Sequence, residues 1–167
     1  MTHAPARRAF LKGRFSQTDV MRPLGAVTPE AFAEQCTQCG DCARACPEAI
    51  IMRDDEGFPV VDLNRGECTF CEDCSDACET GALSAERVWG WRAEAAQSCL
   101  SLNAVTCRTC EDHCDARAIR FRLMTGGRSA PEFDPAACTG CGACAPVCPA
   151  NAIRFHHIQK HDGGRPC

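Results

Sequence analysis

Cys36-Thr37-Gln38-Cys39-Gly40-Asp41-Cys42-Ala43-Arg44-Ala45-Cys46-Pro47 decides how this chain is read. Its spacing is C-x2-C-x2-C-x3-C-P. Three thiolates packed this closely suit three corners of an iron–sulfur cube, and the fourth, after the wider gap, reaches the other cube of a pair. Disulfides fit the pattern badly. Cysteines three apart rarely suit one another geometrically, and the total of 17 is odd. Zinc takes two separated C-x2-C pairs rather than a tight trio plus one.

Working outward, the stretch recurs. Cys68, Cys71, Cys74 and Cys78 repeat the spacing, and so do Cys138, Cys141, Cys144 and Cys148. Cys99, Cys107, Cys110 and Cys114 keep the later gaps but stretch the first to seven residues. Pro47 and Pro149 follow the fourth cysteine of their groups, where Glu79 and Asp115 stand in the other two. The groups fall into two pairs that repeat after about 70 residues, which reads as a duplicated unit. The expected fold is α+β: two tandem bacterial two-cluster [4Fe–4S] ferredoxin-like modules. The expected cofactors are four [4Fe–4S] clusters, and at least three. The two-cluster rule puts Cys36, Cys39 and Cys42 with Cys78, and Cys68, Cys71 and Cys74 with Cys46. It likewise puts Cys138, Cys141 and Cys144 with Cys114, and Cys99, Cys107 and Cys110 with Cys148. Cys99 stays open. Its long gap either loops round to a cube or yields to another ligand, leaving a labile or three-iron cluster.

Five segments follow: a basic arm at 1–30, a first module at 31–83, a connector at 84–98, a second module at 99–156 and a polar tail at 157–167. Short helices are expected after the cluster loops. Brief strands are expected at Ile50–Arg53, Ile119–Arg122 and Ile153–Phe155, with returning strands at Phe58–Asp62 and Glu132–Asp134. Ile119, Phe121 and Leu123 alternate with Arg120 and Arg122, the pattern of a half-buried strand. Gly40, Gly140 and Gly142 sit inside cluster loops, where the backbone must come close to sulfide. The alanines and charges of the connector suggest partial helix. Trp89 and Trp91 bracket Gly90 and are expected to cover a cluster or the module interface.

Hydrophobic residues make up 45% of the chain, but that figure includes the 17 cysteines, and the aromatics are only two Trp and eight Phe. Such a core is thin for 167 residues, so bound clusters must supply much of the stability. No apolar run is long enough to span a membrane. The net charge is −4, and four clusters at about −2 each bring it to roughly −12, which argues against nucleic-acid binding. Positive charge gathers at the start, in Arg7, Arg8, Lys12, Arg14 and Arg22 against Asp19 alone. Arg7-Arg8-Ala9-Phe10-Leu11-Lys12 looks like a twin-arginine export motif. Export also needs an apolar stretch of about 7–15 residues next. Gly13-Arg14-Phe15-Ser16-Gln17-Thr18-Asp19 follows instead, so the chain is expected to stay in the cytoplasm. His156, His157 and His161 read as a polar tail, and Cys167 as a free terminal thiol.

These features together resemble the NapF family of ferredoxin-type proteins from periplasmic nitrate reductase systems. The resemblance rests on Arg7-Arg8-Ala9-Phe10-Leu11-Lys12-Gly13-Arg14, the Cys36 and Cys68 groups, the stretched Cys99 group, and the Cys138 group followed by Ala152-Ile153. It covers nearly the whole chain. It implies a cytoplasmic accessory protein that meets the precursor of the catalytic molybdenum subunit before export. It further implies help in loading that subunit's own [4Fe–4S] cluster, with Arg7, Arg8 and Arg14 as partner-binding residues. No nucleophile with an attendant base and no phosphate loop stands out, so an enzyme is not expected. A multi-cluster electron carrier in nitrate respiration and a redox sensor are the other readings.

Overall fold

The computed structural model describes residues 20–84, 86 and 89–158. Arg7, Arg8, Lys12, Arg14, Arg87, His161 and Cys167 lie outside them. The described residues form a mixture of short helices and short strands. Helix α1 is Pro29–Gln35, α2 is Asp41–Ala45, α3 is Asp73–Asp76 and α4 is Thr109–Asp112. Strands are β1 Ile51–Arg53, β2 Pro59–Val61, β3 Trp91–Ala95, β4 Ile119–Leu123, β5 Ser129–Phe133 and β6 Ile153–His157. Single 3-10 turns occur at Ser101–Asn103 and Thr125–Gly127. Among the described residues, no helix is long and apolar enough to cross a membrane.

Each strand finds one partner. β1 pairs β2, β4 pairs β5 and β3 pairs β6, all antiparallel. The β1–β2 turn is built by Asp54, whose Oδ1 accepts the amides of Glu56 and Phe58 at 3.0 and 2.9 Å. This is the side-chain turn that Asp favours, and Gly57 completes it at φ +90°.

β3 corrects the expected helical connector. Trp91 and Ala93 are buried while Glu94 is exposed, so the segment alternates as a strand does. Its alanines carry helix propensity, but pairing with β6 wins, with Trp91 opposite His157 and Ala95 opposite Ile153. The second module's outer strands therefore draw on residues expected to lie outside it. β6 also runs past Phe155 to His157, whose ring meets Trp91 edge-on at 5.3 Å. His156 lies 3.7 Å from Glu94. Two further details differ. Residues 143–147, after the Cys138 loop, form turns instead of a helix. Leu123 is 85% exposed, so the inward alternation of β4 stops at Phe121.

Two small apolar cores result. Phe32, Ile50, Ile51, Leu63, Ala82 and Leu83 fill the first, and Ala93, Ile119, Ala145 and Ile153 fill the second. Phe155 packs against both. Pro29 at the first turn of α1 and Glu30 beside it favour the helix start, and buried Phe32 pins the helix to the core. The helix ends at Cys36, whose amide bonds Phe32 O at 2.9 Å, so α1 delivers the first ligand position.

The expected arm ends sooner than residue 30. Pro23 and Leu24 are buried, and Ser75 Oγ donates to Leu24 O at 2.6 Å. Arg22 is a structural residue of the first module. It bonds Asp54 Oδ2 at 3.0 Å and Pro59 O at 2.9 Å. Its guanidinium sits 5.2 Å from the Phe32 ring centroid and 5.5 Å from that of Phe58. Partial burial works against ionisation of Asp54, but Arg22 and the Phe58 and Glu56 amides outweigh it and hold the carboxyl below its usual range. Arg22→Ala is expected to cost about 1–2 kcal/mol. Anaerobic thermal melting of the holo-protein checks this, and an unchanged midpoint would return Arg22 to the arm.

Candidate metal centres

The cysteine loops share a backbone design. In the Cys36 loop, Gln38 and Gly40 have positive φ (+59° and +83°). Phe70 and Glu72 (+56° and +71°) occupy the same places in the Cys68 loop, and Gly140 and Gly142 (+74° and +94°) in the Cys138 loop. Left-handed residues placed between the cysteines turn successive amides toward one concavity, an anion-binding arrangement. Phe70 and Glu72 hold it without glycine, at a cost of about 1 kcal/mol or more each. The Cys107 loop lacks the device, since Arg108 has φ −137°.

A second device follows every fourth cysteine. The residue three places on is left-handed in all four groups: Ala49 (+51°), Gly81 (+78°), Arg117 (+51°) and Asn151 (+46°). The chain then doubles back over the sulfur. The Ala118 amide donates to Cys114 Sγ at 3.3 Å and the Ala152 amide to Cys148 Sγ at 3.2 Å. At Cys78, burial pushes the thiol pKa up. The Thr80 hydroxyl, 3.5 Å away, and the Leu83, Thr80 and Ala82 amides more than offset this and bring it below its usual value. Sequence reasoning missed these sulfur-directed donors. Their only signal was the constant distance from the fourth cysteine.

All sixteen grouped cysteines are described, and none of them is in a disulfide. Cys36, Cys39, Cys42 and Cys78 line one cavity, walled by Phe32 and Leu83. Cys46, Cys68, Cys71 and Cys74 line a second, beside Trp89. Cys99, Cys107, Cys110 and Cys148 line a third, with Leu100 and Phe121. Cys144 is buried in the second core, and Cys114 and Cys138 are among the residues packed against that core. Each complete cradle thus holds three thiols from one group and the fourth from its pair.

Cys99 reaches its cradle through a tied-down loop. Asn103 Nδ2 donates to Gln97 O and Cys99 O, both at 2.8 Å. The buried Ser101 hydroxyl donates to Ser129 O at 2.6 Å, fixing the loop to β5. Ser and Asn build such local turns, and their presence in the long gap was the available signal.

The donor chemistry fits an iron–sulfur cube. Among the described residues, no three His, Cys, Asp or Glu side chains converge closely enough to hold a single metal ion. A tetrahedral zinc needs its thiolates about 2.3 Å from one point, whereas a cube spreads four over separate irons. Burial pushes the Cys42, Cys68 and Cys110 thiols up to about 11 and Cys144 up to about 12. Neighbouring cysteines add to the rise in each case. Thiolates so crowded and buried need bound positive charge to form.

Trp89 stands where a cover for a cluster or an interface was expected. It borders the Cys68 cradle, meets Phe70 edge-on at 6.1 Å and donates from Nε1 to Gly140 O at 2.9 Å.

The family model for a 4Fe-4S dicluster domain matches residues 35–82 and again 105–152. The chain is 41% identical to the ferredoxin-type protein NapF of Haemophilus influenzae, covering 93% of this chain and 96% of that one. It is 35% identical to the ferredoxin-type protein NapF of Escherichia coli K12, covering 93% and 97%. It is 31% identical to the methylamine utilization ferredoxin-type protein MauM of Methylorubrum extorquens, covering 90% and 78%. Two dicluster domains and their cysteines provide for multiple [4Fe–4S] clusters, around four. With these cradles and this near full-length likeness, the chain belongs to the NapF family of ferredoxin-type iron–sulfur proteins.

Proposed function

We propose that this protein is a cytoplasmic iron–sulfur accessory factor. It engages the precursor of the catalytic molybdenum subunit of periplasmic nitrate reductase and assists loading of that subunit's [4Fe–4S] cluster before export. The observation that carries the reading is the near full-length likeness to NapF proteins, joined to cavities each lined by four cysteines. The ligand sets we assign are Cys36, Cys39, Cys42 and Cys78; Cys68, Cys71, Cys74 and Cys46; Cys138, Cys141, Cys144 and Cys114; and Cys99, Cys107, Cys110 and Cys148. The protein is not an enzyme in this reading. Arg7, Arg8 and Arg14 form the contact with the precursor, on an otherwise acidic chain.

A second reading, a multi-cluster electron carrier in nitrate respiration, draws on one observation: loops of the two modules are hydrogen-bonded to each other. Cluster transfer separates the two. Holo-protein is mixed anaerobically with apo-reductase, beside a control with a redox-competent low-potential ferredoxin. Restoration of the reductase by the holo-protein alone is expected. Equal restoration by the control would sink the maturation reading and leave the carrier.

A further inference from the structure

The two modules meet at their cysteine loops. The Cys68 amide donates to the Cys141 carbonyl at 2.7 Å. Cys68 lines the cradle of the first module that borders Trp89, and Cys141 belongs to the Cys138 loop of the second. From sulfur to sulfur the route is Sγ–Cβ–Cα–N–H···O=C–Cα–Cβ–Sγ. It is covalent except for one short hydrogen bond. Electronic overlap decays far more slowly along such a route than across an empty gap.

The joint is held from several sides. Trp89 bonds Gly140 O and packs on Phe70, so one indole touches the loops of both cradles. Leu63 of the first module fills the space beside Gly142. A methyl group there would lie 2.8 Å from Leu63 Cβ. Within each module the neighbouring cradles also touch. α2 carries Cys42 and packs on α3, which carries Cys74. Cys110 and Cys144 lie buried in the same core.

We propose that the chain carries one electron path instead of two separate ones. Its order is the Cys36 cradle, the Cys68 cradle, the Cys138 loop and the Cys99 cradle, and the Cys68–Cys141 hydrogen bond is its central joint. The proposal rests on the reading that all four groups hold clusters. Each step moves one electron from a reduced site to an oxidised neighbour. No bond breaks and no proton moves. Dithionite supplies the electrons in the test below.

Two variants read the joint from opposite sides. Cys36→Ala/Cys39→Ala removes the first cluster and leaves the Cys68 cradle with no partner in its own module. Cys99→Ala/Cys107→Ala removes the last and leaves the Cys138 loop in the same position. Each retains about 12 irons per chain if three [4Fe–4S] clusters remain. Electron paramagnetic resonance of the dithionite-reduced variants is then recorded. Magnetic coupling of every spin is expected, with no simple uncoupled signal. A signal integrating to about one uncoupled spin per chain, with about 12 irons present, would overturn the path and leave the cluster assignment standing. About 12 irons or fewer in the unmodified protein, against about 16 for four clusters, would remove the cluster assignment itself, and the path with it. Should one variant lose its remaining iron, the other still decides.

Discussion

Stripping iron from the holo-protein with a chelator, under anaerobic and reducing conditions, will unfold the chain. The reason lies in how little else holds it. Among the described residues the helices are four to seven residues long, far below the dozen or so an isolated helix needs. The sheets among these residues are two-stranded, a form that is marginal alone in water. The two apolar cores contain cysteines, with Cys42 in the first and Cys110 and Cys144 in the second. Cys42 and Cys110 each line a cavity shared with three other cysteines. Metal binding to structural thiolate sites contributes on the order of 10 kcal/mol, and a typical domain has only about 5–15 kcal/mol of net stability. Far-UV circular dichroism before and after chelation checks the expectation. The holo-protein should melt cooperatively, and the stripped protein should show no transition. A cooperative melt in the stripped protein would mean that the apolar cores suffice.

The cysteine spacing carried most of the site, because a cube fixes three thiolates within a short loop whatever surrounds it. The same spacing led to the expectation that the fourth cysteine is exchanged between groups, and three cavities are each lined by three cysteines of one group and one of its pair. What escaped was set by tertiary contact. Trp91–Ala95 reads as helix by its alanines and becomes a strand only because β6 lies beside it. Arg22 reads as one more charge of a basic arm. Only the fold brings Asp54, Phe32 and Phe58 around it. Leu123 completes an alternating pattern, yet the hairpin has already run past the core when it reaches that position. The Cys99 gap was ambiguous because sequence gives the length of a loop but not its anchors. Ser101 and Asn103 supply those.

Gly140→Ala will cost the protein one cluster and most of its module interface. The expected reason for this glycine was close approach to sulfide. The structure adds a stricter one. A methyl group at position 140 would lie 2.1 Å from the Trp91 carbonyl oxygen and 2.9 Å from Trp89 Nε1. The first contact is backbone of β3, which is clamped in register to β6 and cannot give way alone. Relief would require the Cys138 loop to withdraw, breaking the Trp89 bond to Gly140 O and the Cys68 bond to Cys141 O. Position 140 also has φ +74°, which adds about 1 kcal/mol for any side chain. Gly126 separates the two contributions. It has nearly the same φ, +76°, but nothing lies within 4 Å of its added methyl group. Gly126→Ala should therefore keep the full iron content and lose only about 1 kcal/mol. Gly140→Ala should lose about four irons per chain and at least about 3 kcal/mol, as expected where a buried backbone contact is forced apart. Iron and sulfide quantitation beside anaerobic melting of both variants reads the difference. Equal behaviour of the two would show that left-handed backbone alone demands glycine at 140 and that β3 does not press on the Cys138 loop.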